Sequence, residues 1–85
     1  MKLKETFITH EIGGQMHLID ASGEFNGVGK CNDTTAFILG ILKNDVSADE
    51  ITDALHEKYG VSKDILSADL NELLDKLRSV NALDE

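Results

Sequence analysis

A single cysteine, Cys31, in a chain of 85 residues excludes an intramolecular disulfide and fits a reducing compartment. Long apolar runs are also missing. No segment approaches the roughly 20 consecutive apolar residues that span a bilayer. The opening MKLKETFITHE has no apolar signal-peptide core, so the expected location is the cytoplasm and no membrane partner is expected. Cations are scarce, and most scarce in the second half. Residues 46–85 carry four Lys/Arg against ten Asp/Glu, and the whole chain has a net charge of −8. A surface of that sign repels phosphate backbones and anionic lipid, so it argues against nucleic acid as a partner.

The residues are 41% apolar, enough for one small globular domain over 1–85 that buries roughly 60–65% of its unfolded surface. Phe25 to Leu42, FNGVGKCNDTTAFILGIL, divides it. Before this stretch lie short β-prone segments broken by glycine. After it the periodicity is helical and the surface acidic, with no internal repeat. Gly13-Gly14 between two such segments signals a hairpin, because glycine accepts the positive φ of tight turns. A two-residue turn there pairs Ile12 with Gln15, His10 with His17 and Ile8 with Ile19. The spacing predicts strands over 5–12, 15–20 and 25–30. In the third, Gly27 and Gly29 mark either a bulged edge or a place where another backbone approaches closely.

Asn32 is a good N-cap with Asp33 in the first turn. The helix it opens, over 33–42, is apolar nearly all round and should be central. Ser47 and Glu50 form a capping box for a helix over 48–59, which ends at Gly60. Ser62 caps a third helix over 63–80. Its Leu66, Leu70, Leu73, Leu74, Leu77 and Val80 form one stripe. Asn81 suits a left-handed position after it, and Leu83 is placed to fold back onto the stripe. Ile65 lies off the centre of that stripe, as a scattered surface residue or as the rim of a groove. The fold class is therefore α+β, a three-stranded antiparallel sheet followed by a three-helix bundle.

Catalytic chemistry is not legible. His10 and His17 face each other across the hairpin, but two imidazoles are an incomplete metal site, so no metal or other cofactor is expected. Cys31 precedes a helix N-terminus that would lower its pKa, yet nothing in the sequence supplies an orienting base. Gly27-x-Gly29 lacks the rest of a nucleotide fingerprint. The chain reads as a binding protein and not an enzyme.

Two binding functions compete. Three helices and a small sheet suit a winged helix-turn-helix regulator, whose third helix would read DNA. Residues 62–79 carry Lys63, Lys76 and Arg78 against Asp64, Asp69, Glu72 and Asp75, a balance that opposes binding to phosphates. The alternative is peptide capture. A weak strand with an unpaired edge accepts an extended peptide through main-chain hydrogen bonds, with flanking pockets for selectivity.

The ordered set of the Gly13-Gly14 hairpin, Phe25-Asn26-Gly27, Cys31-Asn32-Asp33-Thr34-Thr35, Tyr59-Gly60-Val61 and Ala68-Asp69-Leu70 resembles the PqqD family. These are small RiPP recognition elements that bind the leader segments of ribosomally made precursor peptides. The likeness covers about residues 7 to 83. Cys31 stands where the family usually has an apolar residue, Thr35 where glycine is common, and Asn81 replaces a frequent glycine. The resemblance implies a winged-helix-like fold on which the leader adds as a strand along the third strand and packs beside the third helix. It implies a site formed by Phe25, Val28, Gly29, Lys30 and Cys31 with Ile65, Leu66, Asp69, Leu70 and Leu73. Asp69 either pairs with a basic leader residue or serves a local backbone N–H, and Leu70 and Leu73 line the groove or belong to the core. The implied partners are the precursor leader and a separate maturase, often a radical SAM enzyme. An exchangeable strand edge also allows a strand-swapped homodimer.

Overall fold

A computed structural model describes residues 1–21 and 29–85, with Gly29 and Lys30 described through their backbone. The described elements run β1 (Lys2–Leu3), β2 (Phe7–Ile12), β3 (Gln15–Asp20), β4 (Gly29–Cys31), α1 (Asp33–Ile41), α2 (Ala48–Tyr59), α3 (Lys63–Ser79) and β5 (Leu83–Asp84). The expected residues 25–28 of the third strand, with Phe25 and Val28, lie outside the described residues.

Gly13 and Gly14 take φ values of 60° and 80°, as a two-residue hairpin turn with positive φ at both centres requires. That turn fixes the register of β2 on β3: Ile12 pairs with Gln15, His10 with His17 and Ile8 with Ile19. β4 pairs antiparallel with β3, Met16 opposite Cys31 and Leu18 opposite Gly29. The sheet order is β2-β3-β4, so both outer strands are edges. One face carries the buried Phe7, Leu18 and Cys31. The other carries Ile8, His10, Ile12 and Ile19.

The helices start where their side chains satisfy free backbone donors. Asn32 Oδ1 accepts from the Thr35 N–H at 2.8 Å, and Ser47 and Glu50 close a reciprocal box at 3.1 and 3.2 Å. Gly60 ends α2 with φ 69°, and Asn81 follows α3 with φ 59°. Leu39, Leu42, Ile51, Leu55, Leu70 and Leu74 are fully buried and form the centre of the core. Removing any of them to Ala costs about 2–5 kcal/mol at such sites. At the outer side of α1 and α2, Phe37 and Tyr59 meet edge to face at 6.2 Å, with the Lys58 ammonium 4.7 Å from the Phe37 ring centre.

The two ends of the chain supply a second sheet that the sequence did not announce. β1 pairs antiparallel with β5, Leu3 opposite Leu83. The Leu3 N–H donates to the Leu42 carbonyl and the Lys4 N–H to the Ala82 carbonyl, each at 2.8 Å. Leu83 is buried against the core as its position after α3 suggested, but it does so as a strand.

Candidate functional site

β4 passes into α1 without a loop: Cys31 ends the strand and Asn32 caps the helix. This junction places a sheet edge beside a helical surface. The Ala21 N–H donates to the Thr6 carbonyl, which makes the pair next to Phe7–Asp20 a hydrogen-bonded one. Alternation along an antiparallel ladder then sets every later position. On β4, Gly29 and Cys31 turn their backbone groups toward β3, and Lys30 turns its N–H and C=O to the open edge. Among the described residues no strand pairs with that edge.

Alongside lies a cleft of about 340 Å³ between the start of α1 and the outer side of α3. Its apolar floor comes from Ile38, Leu55, Leu66, Leu70 and Leu73, and its polar rim includes Thr34, Thr35, Asp69, Glu72 and Lys76. Of the residues expected from sequence, Leu66, Asp69, Leu70 and Leu73 meet here. Leu70 is 1% exposed, so it is floor and core at once. Leu73 is half-buried and presents its side to the cleft. Ile65 is 58% exposed and is not part of the lining.

The sequence missed the α1 wall and, on the rim, Glu72 and Lys76. Lys76 extends the spacing of Leu66, Asp69 and Leu73 by one more turn and was legible in principle. Thr34 and Thr35 were not, because their place in the cleft depends on how α1 crosses α3.

The electrostatics of the rim are asymmetric. Lys76 Nζ lies 3.8 Å from Glu72 Oε1, whereas Asp69 has no ion-pair or hydrogen-bond partner among the described residues. Cys31 is buried, and burial pushes its thiol pKa up, with a backbone hydrogen bond from Leu18 acting the other way. Burial thus opposes the thiolate that the following helix N-terminus would favour. His10 and His17 face each other across the ladder, but among the described residues no three His, Cys, Asp or Glu side chains gather as metal ligands would. No described helix is long and apolar enough to cross a membrane.

Fold and cleft together define a small α+β domain with a sheet edge running into a helix-lined cleft. The model of the family described as coenzyme PQQ synthesis protein D (PqqD) matches residues 5–83, and the chain belongs to that family. Among solved structures it is similar to "TbiB1 in Complex with the TbiA(beta) Leader Peptide", at a TM-score of 0.81 and 20% identity. That match covers 99% of this chain and 95% of the other. A comparison with curated protein sequences finds no significant match.

Proposed function

We propose that this chain binds the leader segment of a ribosomally made precursor peptide and presents it to a separate maturase, possessing no catalytic step of its own. The observation that carries the reading is the open edge of β4 lying directly beside the α1–α3 cleft. A peptide added along β4 bonds to the Lys30 backbone, and every second side chain of the new strand turns toward the cleft. The similarity to a protein solved with its leader peptide supports the same reading.

The energetics assign a role to each part. Main-chain bonds contribute about 1 kcal/mol each net, and ordering an extended peptide costs about 2–5 kcal/mol. The ladder alone therefore yields little affinity. One or two apolar side chains over Leu66, Leu70 and Leu73 add roughly 1.5–3 kcal/mol each if fully buried. Micromolar binding needs about −8 kcal/mol, so the side chains seated in the cleft, and not the ladder, decide the affinity. Asp69, without a partner among the described residues, favours a leader with a basic residue next to its apolar anchor. Holding the leader raises the effective concentration of the attached core peptide at the maturase, which needs no chemistry in this chain. In this family a radical SAM enzyme is one such maturase.

The charges on α3 weigh against the competing DNA reading. Lys63 lies 2.9 Å from Asp53, Lys76 lies 3.8 Å from Glu72, and Arg78 lies 3.1 Å from Asp75 and 2.8 Å from Glu85. Each cation of α3 has a carboxylate beside it, which lowers the positive potential that a phosphate backbone would meet.

The test uses peptides selected from a random dodecapeptide display library against the full chain. Lys30→Pro removes the outward N–H and leaves the β3–β4 bonds intact, since those use Gly29 and Cys31. We expect at least a tenfold loss of affinity by fluorescence anisotropy, with the circular dichroism unchanged. Equal affinity for a folded Lys30→Pro variant rejects strand addition at β4.

A further inference from the structure

The sheet has a second open edge, and among the described residues it is the longer one. β2 spans six residues against three in β4. The same alternation that turns Lys30 outward turns the N–H and C=O of Thr9 and Glu11 away from β3. The Phe7 N–H is taken by the Lys4 carbonyl at 3.0 Å, but its own carbonyl also faces out. Among the described residues, no backbone bond reaches this edge at Thr9 or Glu11. Proteins usually blunt such edges with proline, inward charges or a covering segment. β2 has no proline or lysine; Glu11, on the face of Phe7, is its one carboxylate, and Ile8 and Ile12 are 46% and 53% exposed.

A cleft of about 330 Å³ lies against this edge. Leu3, Phe7 and Ile8 give it an apolar wall, and Lys4, Glu5 and Lys43 give it charge. Neither lysine has an ion-pair partner among the described residues. With Lys4 and Lys43 against Glu5, this cleft carries a net charge of +1 on a chain of net charge −8. The α1–α3 cleft has the opposite balance, with Asp69 and Glu72 against Lys76.

We infer that the outer edge of β2, with the Leu3–Phe7–Ile8 cleft and Lys4 and Lys43, is a second strand-acceptor site that takes an extended acidic segment of a partner protein. Hydrogen bonds from Thr9 and Glu11 hold the segment's backbone. Its side chains pack into the cleft beside Leu3, Phe7 and the exposed Ile8, and one carboxylate meets Lys4 or Lys43. The overall negative charge opposes a run of acidic residues, so the segment has one or two carboxylates set among apolar residues. Opposite charge preferences at the two edges let a basic peptide on β4 and an acidic segment on β2 be held together, one on each side of the same sheet.

The random dodecapeptide selection on the full chain also tests this. Thr9→Pro removes an outward N–H, a position where proline is tolerated in an edge strand. Glu11→Pro does the same two residues on, should Thr9→Pro fail to fold. The expected result is a class of binders that weakens at least tenfold on either folded variant, keeps its affinity for Lys30→Pro, and is enriched in Asp and Glu. Such binders shift the backbone amides of Thr9 and Glu11 in NMR spectra, and Lys4→Gln or Lys43→Gln weakens them about two- to fivefold, as loss of an exposed ion pair does. Binders that all depend on the β4 edge overturn this inference and leave the proposed function standing. β2-dependent binders without acidic enrichment overturn it too, and absence of binders at either edge rejects both. If Thr9→Pro instead abolishes self-association of the free protein, a second copy occupies the edge and the inference fails.

Discussion

Gln15 Nε2 donates to the carbonyl oxygen of Cys31 at 2.6 Å. One side chain thus ties the first residue of β3, beside the hairpin turn, to the last residue of β4, beside the α1 cap. The bond braces a three-residue edge strand at the point where the chain changes from strand to helix. Gln15→Ala should cost about 1 kcal/mol, the net worth of one such bond, measured by urea denaturation. Binders that depend on the β4 edge should weaken as well, because the strand they add to is less well held. Binders at the β2 edge should be unaffected.

Leu70 and Leu73 share the cleft but differ in what else they do. Leu70 is 1% exposed within the core, and Leu73 is half-buried at the cleft side. Leu70→Ala should destabilise the domain by about 2–5 kcal/mol and reduce binding through lost folded protein. Leu73→Ala should cost clearly less stability and still lower the affinity of β4-dependent peptides. Denaturation and anisotropy on the same two variants separate these effects. Equal stability losses for both would remove Leu73 from the binding surface.

These contrasts mark what the sequence could and could not convey. The hairpin register followed from Gly13-Gly14 and the two-residue period. The helix starts followed from Asn32, Ser47 and Ser62, because capping is a local interaction within three residues. The stripe placed Leu66, Leu70 and Leu73 on one face of α3, and the family resemblance suggested a groove there, yet Leu70 and Leu73 stayed between groove and core. Packing resolved it, because α1 and α2 bring Ile38 and Leu55 against the same face. The β1–β5 pair was invisible, since two-residue strands have no period and their partners lie at opposite ends of the chain. Thr34, Thr35, Lys4 and Lys43 likewise gained their roles only from how distant elements meet.

Cys31 offers an internal reporter of the β4–α1 junction. Its burial and raised pKa both disfavour the thiolate, the only nucleophilic form. At pH 8, reaction with a disulfide reagent should be slow in the native state and should accelerate with urea in step with unfolding. The linkage has a definite sign. A thiol whose pKa is raised on folding contributes stability fully present below the unfolded value of 9.0, lost as pH rises through the folded value. The alkaline decline in stability should therefore be shallower for Cys31→Ala than for the parent chain. Rapid stoichiometric labelling of the native protein would show the junction to be open.

Arg78 holds two carboxylates, Asp75 at 3.1 Å and Glu85 at 2.8 Å, and so links the last turn of α3 to the residue after β5. The hydrogen bond from Arg78 is the larger cause that keeps the Glu85 carboxyl below its ordinary value of 4.5. A carboxyl depressed on folding contributes stability above its unfolded pKa, and that contribution is lost as pH falls through the folded value. The groups are exposed, so the effect on global stability is small and screened by salt. The sharper measurement is the Glu85 side-chain carbon followed by NMR through acid pH. Arg78→Gln should return its midpoint to the ordinary carboxylate range and loosen the amide of Asp84 to hydrogen exchange. An unchanged midpoint in that variant would mean that Arg78 does not tether the end of β5, and that the β1–β5 pair is held by its backbone bonds and Leu83 alone.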